Sequence, residues 1–186
     1  VHKPYTQLVI SPGMSNSNKI SNEDSSNNSF TISNASSLNR YSGTDKLDNS
    51  KRLNYGYVVN NNQISLSLTQ NYEFTDNSNF HIEQGNNDNL SDLLGAAEYK
   101  KDLAGFKNDF VSNYNFRYDF DDDYLKRQNI SITSPFKLGN ISASYLDQRS
   151  KVDNIIKKDT ETLGYSFESF KFLNFSTINI DGLYDL

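Results

Sequence analysis

The chain has 186 residues, with 18 basic and 23 acidic side chains giving a net charge of −5, and contains neither Cys nor Trp. That length suits one ordinary domain; the missing Cys exclude disulfide scaffolds and Cys-based zinc sites, and an acidic balance without a long basic run argues against an electrostatically driven nucleic-acid partner. Asn and Ser make up about a quarter of the residues, a polarity typical of disorder, yet 12 Tyr and 12 Phe supply the apolar surface that disordered chains lack.

No apolar run approaches the ~18 residues that a spanning helix needs. The first expected strand covers 5–11 and is followed by a long polar stretch, 12–50. Alternation then sets in. Leu53, Tyr55, Tyr57 and Val59 mark a strand over 52–60, closed by the turn signal Asn60-Asn61-Asn62. Over 63–74, Ile64, Leu66, Leu68, Tyr72 and Phe74 alternate with Ser65, Ser67, Thr69, Asn71 and Glu73. After 75–92 come strands over 93–100 and 106–118, split at Gly105, the second carrying Phe110, Tyr114, Phe116 and Tyr118. Asp121-Asp122-Asp123 leads to a strand over 124–133 with Ile130 and Ile132, and Ser134-Pro135 leads to one over 138–148 with Ile141, Ala143 and Tyr145. Beyond a connection at 149–158, Leu163, Tyr165 and Phe167 mark 159–168, and after Phe170-Lys171 a last strand covers 172–181. Nothing of comparable length has helical spacing, so the expected fold is all-β, an antiparallel up-and-down meander of about nine strands.

Several of these strands reach the roughly 9–11 residues that cross a bilayer at a tilt. The first, third and seventh connections are expected to be long and the even ones short. Outer-membrane barrels alternate in this way, with short turns on the periplasmic side and long loops outside. On that reading 12–50, 75–92 and 149–158 face outward, and 60–62, 101–105 and 134–137 face the periplasm. Ile64, Leu66, Leu68, Tyr114, Phe116 and Tyr118 are then expected to face lipid, and Ser65, Ser67, Thr69 and Asn71 a wet lumen. The chain starts at Val1 without a signal segment and its last residues are still strand-like. We therefore expect 1–186 to be a fragment of one large transmembrane β-barrel domain in the bacterial outer membrane.

The long first connection also carries a family resemblance. The segment 5–11, then Ser21-Asn22-Glu23-Asp24-Ser25, Leu38-Asn39-Arg40-Tyr41-Ser42-Gly43-Thr44-Asp45 and Arg52-Leu53-Asn54-Tyr55-Gly56 resemble the central barrel region of the LptD family. Asp88-Asn89-Leu90-Ser91-Asp92 and the strands around Tyr114 to Tyr118 look similar as well. The family-motif residues are Glu23, Asp24, Ser25, Arg40, Tyr41, Ser42, Gly43 and Asp45. Departures are Ser21 where the family has Pro, Ala35-Ser36 where it favours bulky apolar residues, and Lys46 where it favours Arg. The resemblance implies a very large barrel that receives lipopolysaccharide from periplasmic bridge proteins, is plugged by a lipoprotein and releases its cargo sideways into the outer leaflet. Its implied partners are therefore lipopolysaccharide, the plug lipoprotein, the bridge proteins and the outer membrane, with no cofactor, no metal and no catalysis.

Other readings of particular residues stay open at the level of sequence. Asp119, Asp121, Asp122 and Asp123 form either a solvated hairpin tip or a Ca²⁺ site, though the glycine and distal Glu of an EF-hand loop are missing. His2 and His81 have no nucleophile motif near them. Asn34-Ala35-Ser36 and Asn140-Ile141-Ser142 follow from composition. The stretch 12–50 is either a solvated loop or one folded back over the lumen by pairing of Arg40 with Asp24 or Asp45. Another outer-membrane barrel, such as a porin or receptor, shares every strand feature; a soluble adhesin or glycan-binding module requires a second sheet to cover the apolar face.

Overall fold

Period-two alternation of aromatic and β-branched residues with Ser, Thr and Asn suits a pleated strand that separates two environments. A computed structural model describes residues 1–11, 30–41, 48, 50–75, 89–169 and 177–186. Among these, every regular element is a strand: β1 (His2–Ile10), β2 (Lys51–Asn60), β3 (Ile64–Glu73), β4 (Leu93–Lys101), β5 (Phe110–Asp119), β6 (Tyr124–Phe136), β7 (Gly139–Val152), β8 (Ile155–Ser169) and β9 (Asn179–Asp185). They form one sheet in sequence order, each strand antiparallel to its neighbours. No crossover interrupts the meander.

Register follows from the alternation, because a slip by one residue would turn every side chain to the other face. One continuous cross-strand row reads Val59, Leu66, Ala97, Tyr114, Ile130, Tyr145, Leu163, Tyr184. The adjacent row, on the opposite face, reads Val58, Ser67, Ala96, Asn115, Asn129, Leu146, Thr162, Asp185. The sheet thus has an apolar face and a polar face.

Burial is inverted relative to a water-soluble domain. On the apolar face Leu66 and Leu68 are 41% and 44% exposed, whereas on the polar face Arg52 and Asn54 are fully buried. The small hydrophobic core, Phe30, Ala35 and Leu94 with Ile32 against it, lies where the segment 30–35 crosses the polar face. Among the described residues no second sheet covers the exposed apolar side chains.

Several boundaries differ from expectation, beginning with β1, which starts at His2 rather than at residue 5. The stretch 149–158 is not a loop: β7 continues to Val152, β8 starts at Ile155, and Asp153-Asn154 alone make the turn, with φ of 54° and 61°. Two consecutive left-handed residues give the hairpin turn whose twist matches that of the strands. Arg149, Lys151, Lys157 and Lys158 hide this extension from a search for alternation, because a strand wet on both faces needs none. The fourth connection is longer than expected, 102–109, because a turn with Gly105 at φ 89° delays β5 to Phe110. Pro135 lies inside β6 rather than in a turn, past the last rung with β5 at Val111–Thr133, where only β7 runs alongside. The last strand is β9; residues 172–176 of the expected 172–181 lie outside the described set. With the seventh connection reduced to a turn, only the first and third remain long among those at that end of the sheet.

Candidate functional site on the polar face

The first long connection returns to the sheet it leaves. Thr31 starts a tight turn: its amide donates to Asn34 Oδ1 at 2.8 Å, and the Ala35 amide donates to its carbonyl at 2.9 Å. This compact turn places Phe30 and Ala35 on Leu94, and Asn71 Nδ2 of β3 donates to the Ala35 carbonyl at 3.2 Å. Arg52 of β2 donates to the carbonyl of Ser37, so both adjoining strands hold the backbone of the loop.

Behind this contact lies a buried, charge-balanced cluster. Arg40 donates through Nε and Nη2 to the two carboxylate oxygens of Asp48, the second bond at 3.0 Å, and through Nη2 to Glu73 of β3, also at 3.0 Å. Arg52 donates to Asp48 at 2.9 Å and through Nε to Asn54 at 3.1 Å. Glu73 also accepts the Lys51 amide at 2.8 Å. Two guanidiniums and two carboxylates out of water are stable only when their remaining donors and acceptors are used, as they are here. Tyr41, beside Asp48, has its hydroxyl pKa raised by burial and by that carboxylate, so it stays protonated.

A second cluster adjoins the first along the polar face. Asp92, just ahead of β4, lies 3.2 Å from both Arg117 of β5 and Lys126 of β6, and Lys126 reaches Asp119 at 2.7 Å. Burial pushes the Asp92 carboxyl up to about 6, against the pull of Lys126 and Arg117. The acidic tip is tied down by its own neighbours. Asp119 Oδ1 accepts the amides of Asp121 and Asp122 at 2.9 and 3.2 Å, Asp122 pairs with Lys151 at 2.6 Å, and Asp123 accepts the Tyr118 hydroxyl. These carboxylates are consumed by a turn and by cations, a different arrangement from a calcium loop.

The polar face thus carries hydroxyls, amides and paired charges, overlain by a docked loop. A family model described as LPS transport system D, LptD, matches residues 3–181. The chain belongs to the LptD family. No curated protein matches it. LptD is a lipopolysaccharide-transport family of the outer membrane, and an all-β meander with one exposed apolar face is compatible with a piece of an LptD barrel.

Of the LptD motif residues, Arg40 and Tyr41 are buried against the sheet. Glu23, Asp24, Ser25, Ser42, Gly43 and Asp45 lie outside the described residues, and with them the expected pairing of Arg40 with Asp24 or Asp45. The partners found for Arg40, Asp48 and Glu73, were not among the expected ones. Ile64, Leu66, Leu68, Tyr114, Phe116 and Tyr118 share the apolar face, and Ser65, Ser67, Thr69 and Asn71 share the polar one. Glu73 was nonetheless signalled: it continues the parity of Ser65 to Asn71, as Arg52 and Asn54 continue that of Gly56. Arg117 was signalled as well, continuing the parity of Asn113 and Asn115 against Tyr114, Phe116 and Tyr118, whereas Lys126 was not, because the irregular register between Arg117 and Tyr118 shifts the parity of β6.

Proposed function

We propose that this chain is a wall segment of an outer-membrane barrel that passes lipopolysaccharide to the outer leaflet, its apolar face against lipid and its polar face lining the passage. The inverted burial carries this reading: exposed Ile64, Leu66 and Leu68 alternate with Ser65, Ser67, Thr69 and Asn71, the pattern a barrel wall needs between lipid and water. Aromatic pairs flank the apolar face at both ends, Tyr72–Phe74 and Tyr118–Phe120 towards the long connections, Tyr99–Phe110 and Phe136–Phe167 towards the opposite turns. Tyr and Phe girdles of this kind sit at the two membrane interfaces of such barrels.

In this reading the long first and third connections face outward and 61–63, 102–109 and 137–138 face the periplasm. The segment 30–41, fixed by Arg40, narrows the passage and works beside a plug lipoprotein, while periplasmic bridge proteins deliver the cargo. The wall performs no covalent step; its hydroxyl and amide groups exchange hydrogen bonds with the saccharide as it moves, and the acyl chains stay on the lipid side. The test is complementation of a strain depleted of its own lipopolysaccharide-assembly barrel with the full-length protein. Surface lipopolysaccharide should return, and its failure to return despite a folded barrel in the outer membrane would reject the reading.

A further inference from the structure

The C-terminal end of β3 holds both long connections at once. Asn71 donates from its side chain to the Ala35 carbonyl of the first connection at 3.2 Å, while its backbone exchanges two bonds with Ser91 of the third. In one of these the Asn71 amide donates to the Ser91 hydroxyl at 2.8 Å; in the other the Ser91 amide donates to the Asn71 carbonyl at 2.9 Å. Two residues on, Glu73 repeats the division. Its carboxylate accepts from Arg40 of the first connection, and its backbone exchanges two bonds with Asn89 of the third, at 2.6 and 2.9 Å.

The third connection reaches these residues through a fault in the ladder. β3 and β4 pair regularly as far as Thr69–Leu94, but the next bridge joins Tyr72 to Leu90, so one residue more lies on the side of the third connection. An extra residue of this kind interrupts the ladder and re-aims side chains. Here the Ser91 hydroxyl takes over as acceptor for the Asn71 amide, and Asp92 turns to Arg117 and Lys126 on the polar face. Asn71 and Ser91 are 2% and 4% exposed, so their bonds lie out of reach of bulk water. Phe30 and Ala35 close the contact by packing on Leu94, two residues beyond Asp92.

We propose that the segments 30–41 and 89–92 form one cooperative unit, docked on the polar face or released from it together, with Asn71 and Glu73 as the residues that couple them. The reason lies in how each residue divides its bonds, since the direction of a side chain is set by its own backbone. Freeing 89–91 releases the backbone that aims the Asn71 amide group at Ala35 and the Glu73 carboxylate at Arg40. Freeing 30–41 leaves the Glu73 carboxylate buried without the Arg40 guanidinium, a charge that is stable only once water reaches it by displacing the neighbouring chain. Bonds in one buried network therefore fail together rather than singly. Whatever displaces one connection opens the other. The inference goes beyond the transport reading and does not depend on it, because it concerns how the polar face is covered and not what passes beneath.

Hydrogen exchange, read by peptide mass spectrometry on the full-length protein in detergent micelles, tests the coupling. Ser91→Ala removes the hydroxyl that accepts the Asn71 amide; among the described residues the hydrogen bonds of Ser91 run to Gln70, Asn71 and Asp92, not to 30–41. It should nevertheless raise exchange about tenfold in the bonded amides of 30–41, such as those of Ala35 and Ser37, as well as in 89–92, the size expected of one lost buried hydrogen bond. Arg40→Ala should raise exchange in 89–92 by at least as much. The double variant should exceed either single one by far less than the product of the two factors. Strands β6 to β8 should keep their protection throughout. A rise confined to 89–92 after Ser91→Ala, a double variant whose factor equals the product, or a rise of equal size in β6 to β8 would each overturn the coupling. The Ser91→Ala comparison stands even where Arg40→Ala fails to fold, and complementation is read separately, so failure of the transport reading leaves this result unchanged.

Discussion

Arg40 has the strongest individual claim on the loop, because one guanidinium ties Asp48, next to its own segment, to Glu73 on β3. Removing one partner of a buried pair strands the other charges, at a cost of about 3–5 kcal/mol. Arg40→Ala should therefore undock 30–41 while the barrel survives, raising hydrogen exchange in that segment and the uptake of large antibiotics by cells; unchanged exchange would refute the clamp. Arg40→Lys should restore only part of the protection, since an ammonium cannot form the two-bond fork with Asp48. Asp92 gives a pH signature. Its carboxyl titrates near 6 when folded against an ordinary value of 3.8, so between those limits only the folded form holds the proton. The unfolded state binds fewer protons there, and stability falls as the pH rises from about 4 to about 6, by at most a few kcal/mol, then levels off. Melting of the full-length protein across pH 4–7 should display that slope, and Asp92→Asn should flatten it.

At the scale of the strand, the two faces make opposite demands on neighbouring residues. In the proposed barrel wall an Arg at Leu66 would have to bury its charge near the bilayer midplane, costing roughly 2–4 kcal/mol, whereas an Arg at Ser67 would enter water. Leu66→Phe should be nearly neutral for folding into bilayers, because lipid has no fixed packing to violate; a protein core would lose about 1–3 kcal/mol to overpacking. Equal impairment by Leu66→Arg and Leu66→Phe would contradict the lipid-facing assignment. Gly95 is a local exception to that tolerance. A Cβ there would lie 2.0 Å from the Phe116 ring, which covers the glycine from the adjacent strand. Gly95→Ala should slow folding into bilayers, and Phe116→Leu in the same protein should relieve it. The β7–β8 turn obeys backbone rules instead: Asn154, at φ 61°, should accept Gly without loss and resist Val, read as a change in thermal stability.

At the scale of the molecule, β1 and β9 each have one neighbour among the described residues, so the sheet is not closed on itself. Unpaired backbone groups cannot be left in lipid. On the proposed reading, in which 1–186 form part of a larger barrel wall, these residues expressed alone should fail to give the heat-modifiable band of a folded barrel. The strand set was legible in the sequence because the membrane reading and the pleat share one signal: a side chain facing lipid must be apolar, and its neighbour one residue along, about 3.3 Å of strand rise away, need not be. The alternation over 64–74 accordingly marked the strand and the two sets of residues that share a face together, and the loop residues Arg40 and Tyr41 stood out by resemblance. The sequence did not reveal the β7–β8 extension, because strands beyond the apolar band have no face to bury. Nor did it reveal the partners of Arg40 or the Asp92–Lys126 contact. Those depend on which residues the register brings opposite each other across neighbouring strands, and on a bulge in β6 that moves Lys126 to the polar side. Local periodicity determined what each strand is; only the tertiary structure decided which charges meet, because hydrogen-bonded rungs join residues that lie far apart along the chain.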